Sequence, residues 1–564
     1  MSRYLFSRPS IFILLFLVVM IQGCSGGSSG GGGFNPVEQL DAVQCAAGTS
    51  TGPVNNLDCS SGSGNVWISG QITFDRVHHV VGGSALDYYN ITRDPVRGAT
   101  VDAVYAGGIQ SVATDATGHY SVCVPANTNM TIRAKAQMYR TGAPAWNFKV
   151  VDNTSNQALY ALGSSTFNSN NTTTLNLHAD SGWDTTTDTG YINQRAAAPF
   201  AILDSVYEAY NKILPECSGI QFPELKLNWS VNNVPVEGDP AIGQITTSAF
   251  DGSQIYILGK EDNDTDEYDG HVIIHEFGHY FEHYFSRADS VGGPHSGGNI
   301  LDARVAFSEG FGNAFSAIVT DDADYNDANG TNQSSGFELD IDNNNCTNSG
   351  WYSECSVQSI LYDLYDVAND SADNINLNFT PLFDVLIDEQ RNTDAVTSLF
   401  SFIHELKLNN PGSITSINSL VSAQNVDVIT DIYGDSELTN NPGSVDKLPL
   451  HETISPGETV NVCSTSEHQE YNGLGVYRFL RFTASANQTY RITATRTSGS
   501  NPSDPDIQLH YKGQTAFAES VVTNSETMNI KLTQSGTYII DVYDYNNFFL
   551  DMRTACFDVQ LLAI

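Results

Sequence analysis

The segment H-E-F-G-H at residues 275–279 constrains this chain more than any other part of its sequence. Two histidines four positions apart lie on one face of an α-helix, about one turn from each other, so both imidazoles can reach a single metal ion. Apolar residues recur at three- and four-residue steps from Ile273 to Phe285, which supports a helix. Asp269 is placed to be its N-cap. The pattern predicts a metal-binding helix rather than a buried helix with two unrelated surface histidines.

A catalytic zinc ion needs a third protein ligand besides His275 and His279, with one position left open for water. The segment S-E-G-F-G-N at residues 308–313 resembles the part of the gluzincin pattern in which a glutamate on a following helix is the third ligand, and this resemblance implies Glu309, thirty residues after His279. The two glycines that follow Glu309 leave room for two helices to approach closely at the metal. Asn313 lies four residues further along the same helical face, where it can hydrogen-bond to the outer nitrogen of a ligand histidine.

Other side chains stay open as alternative third ligands. His283 continues the row of histidines, but the helix rotates it by about 80° from His275 and carries it a further turn away. His295 lies in a predicted loop that can approach the site from outside. The acidic alternatives are Asp302 and Glu282.

These segments resemble the gluzincin zinc metallopeptidases, and the resemblance covers residues 195–440. It implies a zincin-like α+β catalytic domain at residues 190–440, in which zinc lowers the pKa of its bound water and Glu276 is the general base. Residues 253–259 stand where such enzymes carry an active-site edge strand. The G-x-M-E-N motif of the aminopeptidase branch is absent, which favours an endopeptidase acting on protein or peptide substrates. The donor for the oxyanion stays open among His295, Tyr352, Tyr362 and His404.

Short alternating stretches with frequent turn residues occupy most of the chain before the helical region, which predicts antiparallel strands. The segment P-V-R-G-A-T-V at residues 95–101, together with T-D and G-H-Y at 114–120, resembles the carboxypeptidase regulatory-like domains. The resemblance implies an accessory β-sandwich at residues 63–185, with no catalytic role of its own.

Alternation returns after residue 453, in stretches such as Y-R-F-L-R-F-T-A and G-T-Y-I-I-D-V-Y-D. This part resembles the bacterial pre-peptidase C-terminal domains, which implies a second β-sandwich at residues 446–564. The expected fold class is therefore multidomain, with an α+β zincin-like domain flanked by N-terminal and C-terminal all-β sandwiches.

The chain begins with two arginines and the apolar run at residues 11–21, which is shorter than the roughly 20 residues of a membrane-spanning helix and suits a secretory signal. The run ends in I-Q-G-C, which resembles a bacterial lipobox and implies a signal peptide at residues 1–24 with lipidation of Cys24. A Gly/Ser-rich tether at residues 25–62 follows. These residues predict a bacterial lipoprotein at the cell surface or in the periplasm, and Ser25 favours the outer membrane.

Eight cysteines remain besides Cys24, and an even number fits an oxidising compartment. Two pairs are close in sequence, and a third pair lies near the two ends of the C-terminal region, where the terminal strands of a sandwich commonly meet. The expected pairs are Cys45 with Cys59, Cys346 with Cys355, and Cys463 with Cys556, whereas Cys123 and Cys217 either pair or stay buried thiols.

The formal net charge of −39 repels phosphate backbones, which excludes nucleic acid as a partner on electrostatic grounds. Acidic residues concentrate at residues 261–269 and 321–342. Solvated loops account for such runs, and calcium binding or a preference for cationic substrates is the sharper alternative; neither run has EF-hand spacing. Calcium is therefore a second candidate cofactor beside zinc.

Two other functions stay open from the sequence. One is a cell-surface binding or adhesion lipoprotein that keeps an idle or structural zinc site, and the other is a zinc hydrolase acting on a non-peptide bond. The presence of Glu276 argues against an idle site, since a protein without activity has no need of the base.

Overall fold

A computed structural model describes residues 33–34, 42–170, 173–187, 189–343, 345–367 and 374–564, with only the backbone at 33–34 and 514–515. The predicted signal peptide with Cys24 and most of the predicted tether lie outside the described residues. None of the described helices is both long and apolar enough to cross a membrane.

The first part of the chain is built from strands. They are β1 (Gly33–Phe34), β2 (Ser50–Thr51), β3 (Asn65–His79), β4 (Leu86–Pro95), β5 (Ala99–Tyr105), β6 (Gly108–Ala113), β7 (His119–Pro125), β8 (Asn129–Gly142), β9 (Trp146–Asp152), β10 (Ala158–Leu159), β11 (Ala161–Gly163), β12 (Phe167–Asn168) and β13 (Leu177–Ala179). One sheet joins β3 to β4, β7 and β13, and another joins β8 to β5 and β9. Alternate residues of β8 from Met130 to Met138 are buried, as the period of a strand with one face on the core requires.

Helices and short strands alternate in the central part. They are α1 (Ala198–Ile213), β14 (Leu225–Trp229), β15 (Ala249–Phe250), β16 (Ile255–Ile257), β17 (Gly259–Lys260), β18 (Asp264–Thr265), α2 (Gly270–Phe285), α3 (Ala303–Thr320), β19 (Asp324–Asn329), β20 (Ser335–Asp340), α4 (Glu354–Tyr365), α5 (Phe379–Val385), α6 (Leu399–Asn409) and α7 (Ile414–Ala423). The shorter helical segments of the chain are Asn153–Ser155, Pro240–Ile242, Thr331–Gln333, Leu386–Gln390 and Tyr545–Phe548.

The sheet of the N-terminal part continues into the central part. Strand β9 pairs in parallel with β14, with Phe148 opposite Leu225, and β14 pairs in parallel with β16. Parallel neighbours need a crossover connection, and α1 lies in the connection between β9 and β14. Residues on both sides, such as Ile132 and Leu227, belong to one buried cluster. The boundary expected near residue 190 therefore does not separate two sheets or two cores.

The edge of this sheet differs from the expected one. Strand β15, Ala249–Phe250, pairs antiparallel with β16 and ends the sheet, so the strand expected over residues 253–259 lies one position inside the edge. Local alternation shows where strands are, whereas their order in a sheet depends on pairing between distant segments.

The C-terminal part forms two five-stranded sheets, in the orders β21-β23-β28-β25-β26 and β1-β27-β24-β29-β22. Its strands are β21 (His451–Thr453), β22 (Thr459–Thr465), β23 (Tyr477–Ala484), β24 (Gln488–Gly499), β25 (Pro505–Tyr511), β26 (Gln514–Ala518), β27 (Ser525–Leu532), β28 (Gly536–Asp544) and β29 (Thr554–Ala563). Between the sheets lies a buried cluster of its own, which includes Leu480, Ile492 and Phe557. This part therefore has the separate core of a domain.

Four disulfides are present among the described residues, two of them as expected. Cys346 pairs with Cys355, and Cys463 pairs with Cys556 directly across β22 and β29. The expected bridge between Cys45 and Cys59 is wrong, and so is the expectation for the two leftover cysteines. The remaining bridges are Cys45–Cys217, 172 positions apart, and Cys59–Cys123, 64 positions apart. Closeness in sequence misleads here because the fold brings distant segments beside each cysteine.

Candidate metal centre

Helix α2 presents two imidazoles to one point. The Nε2 atoms of His275 and His279 lie 3.0 Å apart. Helix burial explains their placement, because Ile273, Ile274 and Phe277 are fully buried and fix which face of α2 is turned to the core. Asp269 stands at the N-cap position as expected, but its side chain does not cap the helix.

Helix α3 adds a carboxylate at the same point. The Oε2 atom of Glu309 lies 3.4 Å from Nε2 of His275 and 3.3 Å from Nε2 of His279. One donor atom from each of these residues falls within 4.8 Å of the others. Two imidazole nitrogens and one carboxylate oxygen are the donor set of a catalytic zinc site with an open fourth position, so the three residues fit a zinc ion.

A chain of hydrogen bonds orients His275. Its Nδ1 lies 2.8 Å from Oδ1 of Asn313, whose amide nitrogen donates to Oε1 of Gln358 at 2.9 Å. Because Oδ1 is an acceptor, Nδ1 of His275 carries the proton and Nε2 is left free to bind a metal. The structure thus places Asn313 where the sequence predicts it, and adds Gln358, for which the sequence gives no local signal.

His279 is oriented by two residues that were not expected in this role. The hydroxyl of Ser308 lies 3.3 Å from Nδ1 of His279 and donates to Oε2 of Glu282 at 2.6 Å. Glu282, an alternative third ligand in the sequence, therefore faces the outer nitrogen of His279 and not the metal position. Its spacing of three residues from His279 is the signal that could have indicated this contact.

The other alternative ligands lie elsewhere. His283 is exposed on α2, with its ring beside Phe250 and Tyr284. Asp302 caps α3, where its carboxylate accepts hydrogen bonds from the backbone and side chain of Arg304.

Glu276 is not among the three donors that meet. Its Oε2 accepts a hydrogen bond of 2.7 Å from the backbone nitrogen of Phe250 on edge strand β15. Successive residues of a helix are rotated by about 100°, which explains why the side chain after His275 cannot join the same cluster. The carboxylate is held beside the sheet edge, with one oxygen fixed by the backbone.

His295 is the one oxyanion candidate that the structure brings to the cluster. Its Nε2 lies 3.2 Å from Oε2 of Glu309, and its Nδ1 lies 2.7 Å from Oε2 of Glu354. The hydroxyl of Tyr352 is instead engaged with Asn440. Within the described part of the chain, neither Tyr362 on α4 nor His404 on α6 forms a hydrogen bond with the three donors.

The carboxylates also set the charge of this cluster. Burial lowers the pKa of His295, but Glu309 and Glu354 outweigh burial and raise the pKa to about 9. Burial raises the pKa of Glu309, whereas His295 and His279 hold it well below its usual range. Both carboxylates therefore favour the protonated form of His295, which has N–H groups to donate.

The C-terminal sandwich holds the segment that carries His295. The side chain of Asn472 donates to the carbonyl oxygens of Gly292 and Pro294, at 2.8 and 3.1 Å. The hydroxyl of Tyr471 donates to the carbonyl oxygen of Val291 at 2.8 Å. The position of His295 thus depends on contacts about 180 positions away in the chain.

The same sandwich also fixes the start of helix α3. The buried guanidinium of Arg304 lies over the rings of Tyr477 and Phe479, 4.6 and 4.7 Å from their centroids. It donates to Asp302 at 2.8 Å and to Asp541 at 3.3 Å. The helix that carries Glu309 is therefore anchored on strands β23 and β28 of the C-terminal part.

Helices α2 and α3 are in close contact where Gly312 lies against the ring of His275. A Cβ at Gly312 would lie 2.8 Å from Cε1 of His275, so Gly312→Ala should displace the ring and lower zinc affinity by about 10–100-fold. Gly278→Ala is the matched control, because its Cβ would meet Phe315 at 3.3 Å in the same helix interface without touching a ligand. Zinc titration of both folded variants checks this. Unchanged zinc affinity in Gly312→Ala would contradict the assigned contact.

The part of the chain that contains the metal-binding candidates is similar to a known protein family. Residues 226–412, which include α2 and α3, match the family model of the mycolysin C-terminal domain. The chain is similar to the pre-peptidase C-terminal domain of a Bacillus anthracis collagenase, at 14% identity and a TM-score of 0.16 over 22% of this chain and 99% of that one. It is also similar to PliG, a periplasmic inhibitor of g-type lysozyme from Aeromonas hydrophila, at 15% identity and a TM-score of 0.14 over 20% of this chain and 96% of that one. No curated protein matches the chain. The family match indicates a peptidase-related protein. The structure itself is rich in β-strands, and its C-terminal part has a separate core.

Proposed function

We propose that this protein is a zinc-dependent metalloendopeptidase with a zincin-like α+β catalytic region. The observation that carries the proposal is the meeting of His275, His279 and Glu309 at one point, with Glu276 beside them but outside the donor set. The match to the mycolysin C-terminal domain over residues 226–412 supports a peptidase.

Zinc held by the two imidazoles and the Glu309 carboxylate would make a water molecule more acidic and polarise the carbonyl of a peptide bond. Glu276 then takes the proton from the attacking water and passes it to the leaving amine. The bond from the Phe250 backbone holds one oxygen of Glu276 in place, so the other oxygen can move the proton.

His295 is assigned to the negative charge that develops on the substrate's carbonyl oxygen. Glu354 accepts from Nδ1 of His295, which leaves the N–H at Nε2 directed toward the donor cluster. A donor fixed in this way stabilises the oxyanion without reorganising during the reaction. Asn472, which holds the His295 segment, thereby links the C-terminal sandwich to the same step.

Metal dependence tests the proposal. The full chain should cleave an unstructured protein such as casein, lose this activity when a chelator removes the metal, and regain it when zinc is added back. Cleavage that persists in metal-free protein would show that another residue set performs hydrolysis. Zinc binding without cleavage would favour a binding or adhesion protein with an idle site.

We further propose that the protein is held on the bacterial outer membrane by lipidation of Cys24. The I-Q-G-C segment and the Gly-rich stretch after it support this, and four disulfides fit an oxidising compartment. Metabolic labelling with a palmitate analogue should mark the wild-type protein and leave Cys24→Ala unlabelled. Label that survives in Cys24→Ala, or that is absent from the wild type, would contradict the anchor.

A further inference from the structure

Three aspartates meet on a small sheet outside the zinc cluster. One carboxylate oxygen from each of Asp264, Asp266 and Asp327 lies within 4.8 Å of the others. Strands β18 and β19 pair antiparallel with Asp264 opposite Asn329, and continuing this register places Asp266 opposite Asp327. Residues two apart share a face of a strand, so the pairing collects all three carboxylates on one side.

Each of the three carboxylates has a buried oxygen atom without a hydrogen-bond partner among the described residues. Asp266 is only 3% exposed, and its Oδ1 has no hydrogen-bond partner among the described residues. The Oδ1 atoms of Asp264 and Asp327 are likewise buried without a partner in the part of the chain that the structure describes. The other oxygen of Asp266 accepts a hydrogen bond from Ser248.

Nearby cationic side chains do not neutralise the negative charge of these three carboxylates. Asp269, three residues after Asp266, is already occupied, because His79 lies 2.8 Å from its Oδ1 and the backbone nitrogen of Ala328 donates to its Oδ2. Among the described residues, no Lys, Arg or His forms an ion pair with the three aspartates.

Burial and mutual repulsion disfavour three free carboxylates. Burial raises the pKa of Asp264 to about 6, and burial with the neighbouring charges of Asp269 and Asp264 raises the pKa of Asp327 to about 8. A buried like-charge group of this kind is stable only with protons or a cation between its members. The donors are all oxygens, which a hard cation such as calcium prefers and zinc does not.

We propose that Asp264, Asp266 and Asp327 form a calcium site distinct from the zinc cluster. The ion would join β18 to β19, and β18 ends five residues before α2 begins. Calcium would therefore brace the segment that leads directly into the helix of His275 and His279. The inference stands on this carboxylate geometry and not on peptidase activity.

Calcium-dependent unfolding tests the site. The full chain is compared with Asp266→Asn in calcium-free buffer and in millimolar calcium, with zinc held constant throughout. Calcium should raise the unfolding temperature of the wild type by several degrees, through binding to the folded state only. Asp266→Asn should lose most of this shift and bind calcium at least about tenfold more weakly in calorimetry. Glu261→Gln, an exposed acid of the same acidic run, is the matched control and should keep the full shift.

The calcium-free comparison separates an ion site from a purely structural carboxyl group. Asp266→Asn removes repulsion, so without calcium it should unfold at a temperature equal to or above that of the wild type. An equal calcium shift in Asp266→Asn and the wild type would overturn the proposal, as would the absence of any calcium shift in the wild type. A variant destabilised to the same extent with and without calcium would also overturn it.

Discussion

Glu276→Gln is expected to keep one zinc ion per chain while its kcat for peptide hydrolysis falls by about 10²–10⁴-fold, the range for loss of a general base. Glutamine removes the group that accepts the water's proton but leaves His275, His279 and Glu309 unchanged. Its amide oxygen can still accept the hydrogen bond from the Phe250 backbone, so the side chain and the sheet edge should stay in place.

Metal analysis and steady-state kinetics on the same preparation check this expectation. Thermal unfolding at equal zinc content serves as the control that the variant is folded. A variant that binds zinc and retains wild-type kcat would remove Glu276 from the chemistry. A variant that loses zinc would instead place Glu276 among the ligands.

Glu309→Ala should lose both zinc and activity. The carboxylate lies 3.3–3.4 Å from the two histidine nitrogens, and its removal leaves only two protein donors. We expect zinc affinity to fall by more than about 100-fold, the upper end for changes that only touch a ligand's partner. His295→Ala should keep zinc and lower kcat, because His295 is assigned to the oxyanion.

Zinc titration with kinetics on these two variants separates the roles. Full zinc affinity in Glu309→Ala combined with loss of zinc in His295→Ala would exchange them and make His295 the third ligand. The two side chains are 3.2 Å apart, so the exchange is a real structural alternative that only measurement of both variants decides.

Much of the metal cluster could be predicted because its signals are local. Spacings of four residues relate His275 to His279 and Glu309 to Asn313, and a helix converts that spacing into a shared face. The same helical periodicity predicts that Glu276, one residue after His275, lies on a different face of the helix and outside the donor set. In the structure, His275, His279 and Glu309 meet at one point and Asn313 lies beside His275.

The parts that escaped prediction depend on contacts between distant segments. Glu354 is hydrogen-bonded to His295, 59 positions away, and Asn472 is hydrogen-bonded to Gly292, 180 positions away. No local sequence pattern predicts either contact. Sequence closeness predicts a bridge between Cys45 and Cys59, whereas the fold pairs Cys45 with Cys217. The parallel pairing of β9 with β14 cannot be predicted for the same reason, since alternation indicates a strand but not its partner.

The acidic runs show an intermediate case. The sequence indicates that residues 261–269 and 321–342 are rich in acids, and calcium was one explanation of both. Only the antiparallel register selects Asp264 and Asp266 from the first run and Asp327 from the second. The other acids of these runs include exposed residues such as Glu261, which makes a matched comparison within one run possible.

Digestion of a proteome-derived peptide library, read by mass spectrometry, tests the central claim most directly. The zinc-loaded full chain should produce cuts within peptides, and these cuts should disappear with a chelator and return with zinc. Internal cuts that depend on zinc are the result that a metalloendopeptidase predicts. Intact peptides in the presence of bound zinc, or removal of terminal residues only, would contradict the proposed activity.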